Sequence, residues 1–238
     1  MSTAAPDRAM DAAVIAGRTR EDVVVGNEIV RHKRASRWIH WTVAVTFILS
    51  LLTGLPIWTP IFGWMASLFG GLSVCRVVHP WVGIAFFVIS GVMFFYWLAD
   101  MHLLPSERDW LRPARAIQYM RFQTDIEDVG KYNGGQKIFF FAVSLGAFGL
   151  LLSGLLIWFP LLFPRIISEL AFVIHDFTFV LFTVGIIGHI YLGTAAEPGT
   201  FGSMVRGTVT RQWARLHHPS WYREITGDEA RRPSSPSR

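Results

Sequence analysis

The last long apolar segment of the chain, residues 166–192, contains two histidines, His175 and His189. A segment of this length can cross a membrane as a helix, and ionisable side chains inside such helices are usually functional. The two histidines lie fourteen positions apart. At about 100° and 1.5 Å per residue, both imidazoles leave one face of the helix, roughly 21 Å apart along its axis. We therefore expect one imidazole near each edge of the membrane.

Three further apolar runs extend this conclusion to the whole chain. Of its 238 residues, 52% are hydrophobic and 16% are charged, which is too apolar for a soluble domain of this size. The sequence predicts an all-α membrane protein, a four-transmembrane-helix bundle within residues 31–225, flanked by disordered tails at 1–30 and 226–238. The four apolar runs are 41–58, 81–98, 138–159 and 166–192.

Lys and Arg residues predict the orientation of this bundle. Fourteen of them lie at 31–37 just before the first helix, in the 101–137 loop and at 206–223 after the last helix, against two in the 59–80 and 160–165 loops. Because such residues accumulate on the cytoplasmic side, we expect both termini and the 101–137 loop to be cytoplasmic. The basic residues flank the apolar runs and form no patch interleaved with aromatic residues, so they indicate membrane lipid, and not nucleic acid, as the partner.

A single cysteine, Cys75, limits the cofactor chemistry of the chain. One cysteine allows no disulfide within the chain, no Cys-x-x-Cys-His attachment of haem and no iron–sulfur cluster held by this chain alone. Any haem bound here is therefore non-covalent. We expect Cys75 itself to pack near the outer surface.

Two more histidines complete a candidate set of four metal ligands. His40 stands between tryptophans at the start of the first helix, and His79 precedes Pro80, which we interpret as the start of the second helix. Because helix direction alternates across the membrane, His79 should pair with His175 at the outer edge and His40 with His189 at the inner edge. Two pairs suit the irons of two haems b. Such ligation leaves iron no open position, so the haems should carry electrons and not activate oxygen.

The remaining polar groups near the membrane are expected to play other roles. His32, His102, His217 and His218 fall in interfacial or soluble segments, where solvated or lipid-facing positions are expected. Asp176 follows His175 directly and either contacts water or a partner subunit at the outer edge, or orients a ligand. Neighbouring helix positions diverge by about 100°, which argues against a bond to the adjacent ring.

A weak internal repeat relates the ends of the first and third helices. Residues 54–60 read Gly-Leu-Pro-Ile-Trp-Thr-Pro, and residues 154–160 read Gly-Leu-Leu-Ile-Trp-Phe-Pro. This echo is typical of a protein built from two similar hairpins.

Several motifs across residues 30–225 resemble the cytochrome b subunit, called gamma, of membrane-bound respiratory formate dehydrogenases. The Val-Gly-Lys-Tyr-Asn-Gly-Gly-Gln-Lys run and the His-His-Pro-Ser-Trp-Tyr-Arg-Glu tail carry most of this resemblance, because histidine spacing alone is shared with hydrogenase cytochromes b. The matching runs are 37–41, 78–80, 128–137, 174–175, 188–191 and 211–225.

The resemblance implies a subunit of an electron-transfer complex in the bacterial inner membrane. The partners implied are a catalytic alpha subunit with molybdenum or tungsten and an iron–sulfur beta subunit, in a complex that forms a higher oligomer. Electrons would enter at the outer haem and reach quinone on the cytoplasmic side. The family's haem ligands carry over to four residues: His40, His79, His175 and His189.

The family's quinone-site residues carry over to Asn133, Gly135 and His189. Alternatively, the polar turn at 133–135 serves only to start the third helix well. The N-terminal extension, residues 1–28, departs from the family pattern and has no role assigned by the resemblance.

Two other functions remain open from the sequence. One is the cytochrome b subunit of a nickel–iron hydrogenase or a related respiratory reductase, which copurification with a hydrogenase large subunit would reveal. The other, from a different class, is a transporter or purely structural anchor in which the histidines form a proton relay. An absorption spectrum separates this class from the cytochromes, since a relay needs no haem.

Overall fold

The computed structural model describes residues 5–103, 105–120 and 129–227, which form two compact units. The helix unit comprises residues 38–102 and 138–189, and the sheet unit comprises the described residues of 1–37, 103–137 and 190–238. In chain order the helices and strands are α1 (Ala5–Ala16), β1 (Val23–Val25), β2 (Glu28–Val30), α2 (Arg34–Trp58), α3 (Leu72–Trp97), α4 (Pro113–Met120), α5 (Gly134–Trp158), α6 (Arg165–Tyr191), α7 (Thr200–Val205), β3 (Thr208–Thr210), α8 (Arg211–His217) and α9 (Pro219–Thr226), with 3₁₀ helices at Pro60–Phe69, Leu98–Asp100, Pro105–Leu111 and Pro160–Leu162 and a π-helical turn at Leu192–Ala196.

Four of these helices, α2, α3, α5 and α6, are long and apolar enough to cross a membrane. Their most apolar windows have mean hydropathies between 1.7 and 2.3. Large apolar side chains on them are exposed, among them Phe95 at 78% and Leu145 at 73%, as expected where lipid takes the place of water. The four helices correspond to the four apolar runs of the sequence and make the chain a multi-pass membrane protein.

Helix α3 begins at Leu72 and not near Pro80 as expected, so His79 lies inside the helix. The preceding 3₁₀ helix ends at Phe69 and is followed by Gly70 and Gly71, whose φ values of 89° and 111° are readily adopted only by glycine. The apolar residues that follow carry no helix breaker before the proline. A proline within a membrane helix is tolerated because neighbouring groups take up the freed backbone carbonyl. The glycine pair was therefore the better signal for the helix start.

The centre of the helix unit is an aromatic cluster of Phe47, Phe86 and Phe182. The Phe47 and Phe182 rings stack with centroids 5.0 Å apart, and Phe86 lies 5.8 Å from Phe47 and 5.6 Å from Phe182. All three side chains are buried. Rings at these distances pack in offset or edge-to-face arrangements, which fixes the facing surfaces of α2, α3 and α6.

The sheet unit is built on an antiparallel sheet in the order β1-β2-β3. A two-residue turn joins β1 to β2, and Gly26 has the positive φ, 59°, that such turns need. In the β2–β3 pair, Ile29 lies opposite Val209. A small core forms on this sheet, with Thr210 capping α8 by accepting a hydrogen bond from the Trp213 N–H at 3.1 Å. The core residues are Ile29, Val209, Trp213, Ala214 and Trp221.

The N-terminal segment differs from the disordered tail predicted for residues 1–30. Helix α1 packs against β1 and β2, and Ala13 and Ile29 are fully buried. The strand that completes the sheet, β3, lies near the other end of the chain, so no local pattern in residues 1–30 could indicate the pairing. Of the second predicted tail, 226–238, residues 228–238 lie outside the described part of the chain, and Thr226 ends α9.

Candidate functional site

The helix unit brings four histidines together in two pairs. The ring centroids of His40 and His189 are 6.1 Å apart, and those of His79 and His175 are 6.3 Å apart. His40, His79 and His175 are half-buried, while His189 is exposed and stacks on Phe139 with centroids 5.0 Å apart. The pairs that alternating helix direction suggested are thus the pairs whose rings lie next to each other.

The spacing within each pair fits two imidazoles on opposite sides of one metal ion. A metal–nitrogen bond is about 2 Å long, and an imidazole nitrogen lies about 1.1 Å from the ring centre. Two such imidazoles place their centroids about 6.2 Å apart, close to both observed values. No pair makes a direct ring-to-ring hydrogen bond at this distance, so the gap suits an ion between the rings.

The His79–His175 pair borders a cavity of about 500 Å³. That volume lies within the range of about 300 to 1,000 Å³ that is usual for ligand sites. Its walls are mainly apolar and aromatic, which suits the body of a porphyrin, and they come from all four long helices: Phe47 and Gly54 on α2, Phe86 on α3, Ala147 and Gly154 on α5, and Phe179 on α6.

Two glycines make room for the rings of this pair. A Cβ at Gly54 would lie 2.8 Å from Cε1 of His79, and a Cβ at Gly154 would lie 3.4 Å from Cε1 of His175. The internal repeat thus has a structural meaning, because the glycine that opens each echoed motif lies against one histidine. A planar group the size of a haem needs such close approach of helix to ligand.

Each histidine of this pair is also held at Nδ1. His79 Nδ1 donates to the Ser50 carbonyl at 3.1 Å and lies 3.3 Å from Thr53 Oγ1. His175 Nδ1 lies 2.9 Å from Ser153 Oγ. Imidazoles that bind metals through Nε2 are commonly fixed in this way at the other nitrogen. Since Ser153 occupies Nδ1 of His175, Asp176 is not the group that orients this ring, although Asp176 lines the cavity.

A seven-residue spacing on all four long helices is the signal that the sequence analysis missed. Seven residues are close to two helical turns, so positions at this spacing share a face. The four histidines, the aromatic cluster and the two glycines beside the His79–His175 pair all lie on these stripes. The stripes are His40, Phe47 and Gly54 on α2, His79, Phe86 and Met93 on α3, Phe140, Ala147 and Gly154 on α5, and His175, Phe182 and His189 on α6.

Asn133 and Gly135 belong to the sheet unit, at the start of α5. Asn133 Oδ1 accepts from the Gln136 N–H at 2.8 Å, and Gln136 Oε1 accepts from the Asn133 N–H at 2.9 Å. This reciprocal arrangement is a capping box. The Trp110 ring lies over the turn, since a Cβ at Gly135 would be 2.7 Å from its Cζ3. These contacts favour the helix-start interpretation of the polar turn.

Two of the other histidines correct an expectation. His102 is exposed and His217 is half-buried, but His32 and His218 are 2% and 1% exposed and not solvated. His218 Nδ1 donates to the Gly130 carbonyl at 2.6 Å. Both buried rings belong to the aromatic core of the sheet unit, whose segments are distant in sequence, so composition near each histidine gave no sign of burial.

Burial and nearby charges lower the pKa values of His217 and His218 in the sheet unit. Burial lowers the pKa of His218 well below 6.5, helped by the charge of Arg31 and opposed by the bond to Gly130. Burial and Arg31 also lower the pKa of His217, while Glu197 opposes the change. The Arg31 guanidinium lies 4.8 Å from the Trp213 ring centre and donates to the Lys131 carbonyl at 2.8 Å. A positive charge is therefore already present in this core.

Comparison with known proteins identifies the family. The family model for prokaryotic cytochrome b561 matches residues 31–207, which include all four paired histidines. A cytochrome b binds haem b, in agreement with the geometry of the histidine pairs.

Individual relatives are formate dehydrogenase subunits. The chain is 35% identical over 212 residues to the nitrate-inducible formate dehydrogenase cytochrome b556(Fdn) subunit of Escherichia coli K12, covering 87% of this chain and 95% of the relative. It is 37% identical over 201 residues to the cytochrome b556(fdo) subunit of the same organism, covering 83% and 93%. A formate dehydrogenase cytochrome b556 subunit of Haemophilus influenzae is 33% identical over 202 residues, covering 82% and 83%.

These matches confirm the resemblance found in the sequence motifs. They span most of both chains, and they agree with four apolar helices and with histidines placed in facing pairs. The chain belongs to the prokaryotic cytochrome b561 family and is similar over most of its length to the cytochrome b subunits of formate dehydrogenases.

Proposed function

We propose that this chain is the electron-transfer subunit of a formate dehydrogenase complex, that it binds two haems b, and that it delivers electrons to quinone. The observation that carries the proposal is the presence of two facing histidine pairs, with centroid separations of 6.1 and 6.3 Å. The relatives named as formate dehydrogenase subunits support the choice of complex.

The residues of the helix unit have distinct roles in this proposal. His79 and His175 would hold one iron, and His40 and His189 would hold the other. When bound, each haem would supply a one-electron carrier held by two imidazoles. Phe47, Phe86 and Phe182 exclude water from the centre of the unit. Gly54 and Gly154 leave room beside the His79–His175 pair.

The proposed direction of transfer follows from the distribution of basic residues. Both termini and the 101–137 loop would face the cytoplasm of a bacterium with the chain in its inner membrane. The His79–His175 pair would then lie near the periplasm, where an iron–sulfur beta subunit would deliver electrons obtained from formate by a molybdenum or tungsten alpha subunit. Carrying an electron inward against the membrane potential costs about 2.3 kcal/mol per 100 mV. A strongly reducing donor such as formate meets that requirement.

The quinone part of the proposal is based on the resemblance and assigns Asn133, Gly135 and His189. An amide donor or a backbone N–H at the start of a helix suits a quinone oxygen that gains negative charge. The capping box at Asn133 means that Asn133→Leu would damage α5 as well as any quinone contact. Asn133→Ser is the sharper variant, because serine caps a helix as well as asparagine does but lacks the amide.

Quinone turnover of the intact complex tests this assignment. Under the proposal, Asn133→Ser loses quinone reduction while formate still reduces both haems. Gln136→Ala is the matched control, since it removes half of the capping box and leaves the Asn133 amide in place. If Asn133→Ser turns over quinone normally, Asn133 only starts the helix and the assignment falls.

The central experiment is a haem count on the purified chain with its partners. A pyridine haemochrome assay should give two haems b per chain. One haem, or none, would contradict the proposal. The same preparation distinguishes a formate dehydrogenase subunit from a hydrogenase subunit. Copurification of a hydrogenase large subunit in place of a molybdenum or tungsten subunit would assign the chain to a hydrogenase.

A further inference from the structure

Two hydroxyl side chains, Thr53 and Ser153, occupy equivalent places beside the His79–His175 pair. They lie one hundred positions apart and each precedes the glycine that contacts a histidine, Gly54 or Gly154. We propose that Thr53 and Ser153 are positioning residues that fix the protonation of these two imidazoles and lower the redox potential of the haem between them. The proposal rests on the proposed binding of haem by this pair.

The hydrogen bonds of Ser153 determine which nitrogen of His175 carries the proton. Ser153 Oγ lies 2.6 Å from the Gly149 carbonyl and 2.9 Å from His175 Nδ1. A hydroxyl has one hydrogen, and a carbonyl can only accept. The hydroxyl therefore donates to Gly149, and its oxygen accepts from the Nδ1–H of His175. This leaves the lone pair on Nε2, the nitrogen available to a metal.

Thr53 repeats the arrangement on α2. Its Oγ1 donates to the Leu49 carbonyl at 2.7 Å and lies 3.3 Å from His79 Nδ1. The Ser50 carbonyl, 3.1 Å from the same nitrogen, is a second acceptor for the Nδ1–H. Thr53 and Ser153 are 1% and 2% exposed, so water does not compete for these bonds. Both imidazoles of the pair are thus held as Nδ1–H tautomers.

An acceptor at Nδ1 changes the electronic character of a ligating imidazole. Partial transfer of the Nδ1 proton toward an oxygen makes Nε2 a stronger donor, which stabilises oxidised iron relative to reduced iron. The other pair lacks this feature on one side, since His40 Nδ1 is buried and has no hydrogen-bond partner in the part of the chain that the structure describes. We therefore expect the haem of the His79–His175 pair to have the lower potential of the two.

Redox titration of the intact complex tests the role of the hydroxyls. Ser153→Ala should raise the midpoint potential of one haem, with a tenfold change in its reduced-to-oxidised ratio at fixed ambient potential, equal to 59 mV for one electron. Thr53→Val should produce a smaller rise, because Thr53 Oγ1 lies 3.3 Å from His79 Nδ1, whereas Ser153 Oγ lies 2.9 Å from His175 Nδ1. The other haem should not move. Ser153→Thr and Thr53→Ser, which keep the hydroxyl, should restore the original potential.

Matched controls come from the same two helices. Ser144 on α5 donates to the Phe140 carbonyl at 2.9 Å, and Thr46 on α2 donates to the Thr42 carbonyl at 2.8 Å. Ser144→Ala and Thr46→Val should leave both potentials unchanged. Equal shifts in these controls, or no shift in Ser153→Ala with the haem retained, would overturn the proposal.

Haem content distinguishes failure of this proposal from failure of the proposed function. If the unaltered complex contains no haem, haem binding itself is wrong. If it contains both haems and their midpoint potentials do not change when the hydroxyls of Thr53 and Ser153 are removed, only the positioning role is wrong. Loss of one haem from Ser153→Ala that Ser153→Thr reverses would support the role, whereas loss that Ser153→Thr does not reverse would contradict it.

Discussion

Imidazoles that donate from Nδ1 to a backbone carbonyl occur in both units, and their surroundings differ in one respect. His79 of the helix unit and His218 of the sheet unit both donate from Nδ1 to a backbone carbonyl, at 3.1 and 2.6 Å. Across from His79 stands a second imidazole, with a cavity beside the pair. His218 instead packs between Trp213 and Trp221, with centroids 5.1 and 6.3 Å away. A hydrogen-bonded Nδ1 alone therefore does not identify a metal-binding histidine. A second imidazole facing the first, with a cavity beside the pair, is the feature that indicates one.

The largest expected effect is the loss of haem when a paired histidine, but not His218, is replaced. His79→Ala and His175→Ala should each remove about half of the haem, because one axial ligand alone holds haem b poorly. His40→Ala should remove the other half. His218→Asn, which keeps a donor for the Gly130 carbonyl, should remove none. Pyridine haemochrome assays on the four variants measure this, and loss of the same spectral component from His79→Ala and His40→Ala would show that the pairing is wrong.

Replacing a glycine beside the paired histidines with alanine should lower the affinity for haem. Gly54→Ala places a methyl group 2.8 Å from Cε1 of His79, which forces the ring to shift, so haem affinity should fall about tenfold. Gly154→Ala, at 3.4 Å from His175, should have a smaller effect. Gly91→Ala is the control, because nothing lies within 4 Å of a Cβ at that position and Gly91 does not line the cavity. Haem retention during apomyoglobin competition gives the ranking.

The pH response should come from the sheet unit. His218 has a lowered pKa when folded, so its stabilising neutral form is fully present above the unfolded pKa near 6.5. As the pH falls below that value the unfolded chain gains a proton that the folded chain does not. Stability should then decrease by about 1.4 kcal/mol per pH unit until the folded pKa is reached.

Hydrogen exchange of the β2 and β3 amides between pH 7.5 and 5 measures this response. His218→Asn should flatten it. Glu21 acts in a lower window: burial raises its pKa, but bonds with Lys131 and Ser36 outweigh burial and lower it below 4.5, so its contribution is lost only as the pH falls below that value. An exchange profile in His218→Asn identical to that of the original chain would remove His218 as the source.

The smallest expected effect concerns a helix cap in the sheet unit. Thr210→Ala removes the acceptor for the Trp213 N–H and should destabilise α8 by about 1 kcal/mol. Thr210→Ser keeps the acceptor and should be neutral. Faster amide exchange in α8 with unchanged haem content is the expected result. A change in the haem spectra would show that haem binding by the paired histidines depends on the sheet unit, which would contradict the expectation.

The sequence indicated most of the helix unit because its signals are local. Apolar length predicted the four long helices, and helix direction suggested which histidines would be neighbours. The start of α3 was wrong because Pro80 was given more weight than Gly70 and Gly71. The hydroxyl partners of the imidazoles could not be predicted, since serine and threonine on a membrane helix ordinarily bond their own backbone, and Thr53 and Ser153 do this as well.

The sheet unit could not be predicted, because it is formed by segments that are distant in the sequence. Residues 1–30 contain only short apolar groups, at 12–16, 23–25 and 29–30, which bury little surface alone. Their partner strand, Thr208–Thr210, and two of the aromatic rings beside Arg31, those of Trp213 and Trp221, come from beyond the fourth long helix. A single sequence without its contacts gives no reason to pair such distant segments, and hence His32 and His218 were expected to be solvated.

The pairing of β2 with β3 also imposes an order on biosynthesis. Glu28 and Thr210 are about 180 residues apart in the chain, and at about 5 to 20 residues per second a ribosome needs roughly 10 to 40 s to make the stretch between them. Throughout that interval β1, β2 and the Arg31 side chain have neither their edge partner nor the rings of Trp213 and Trp221. The nascent N-terminal segment therefore remains accessible to proteases and chaperones until residues 208–221 have been synthesised.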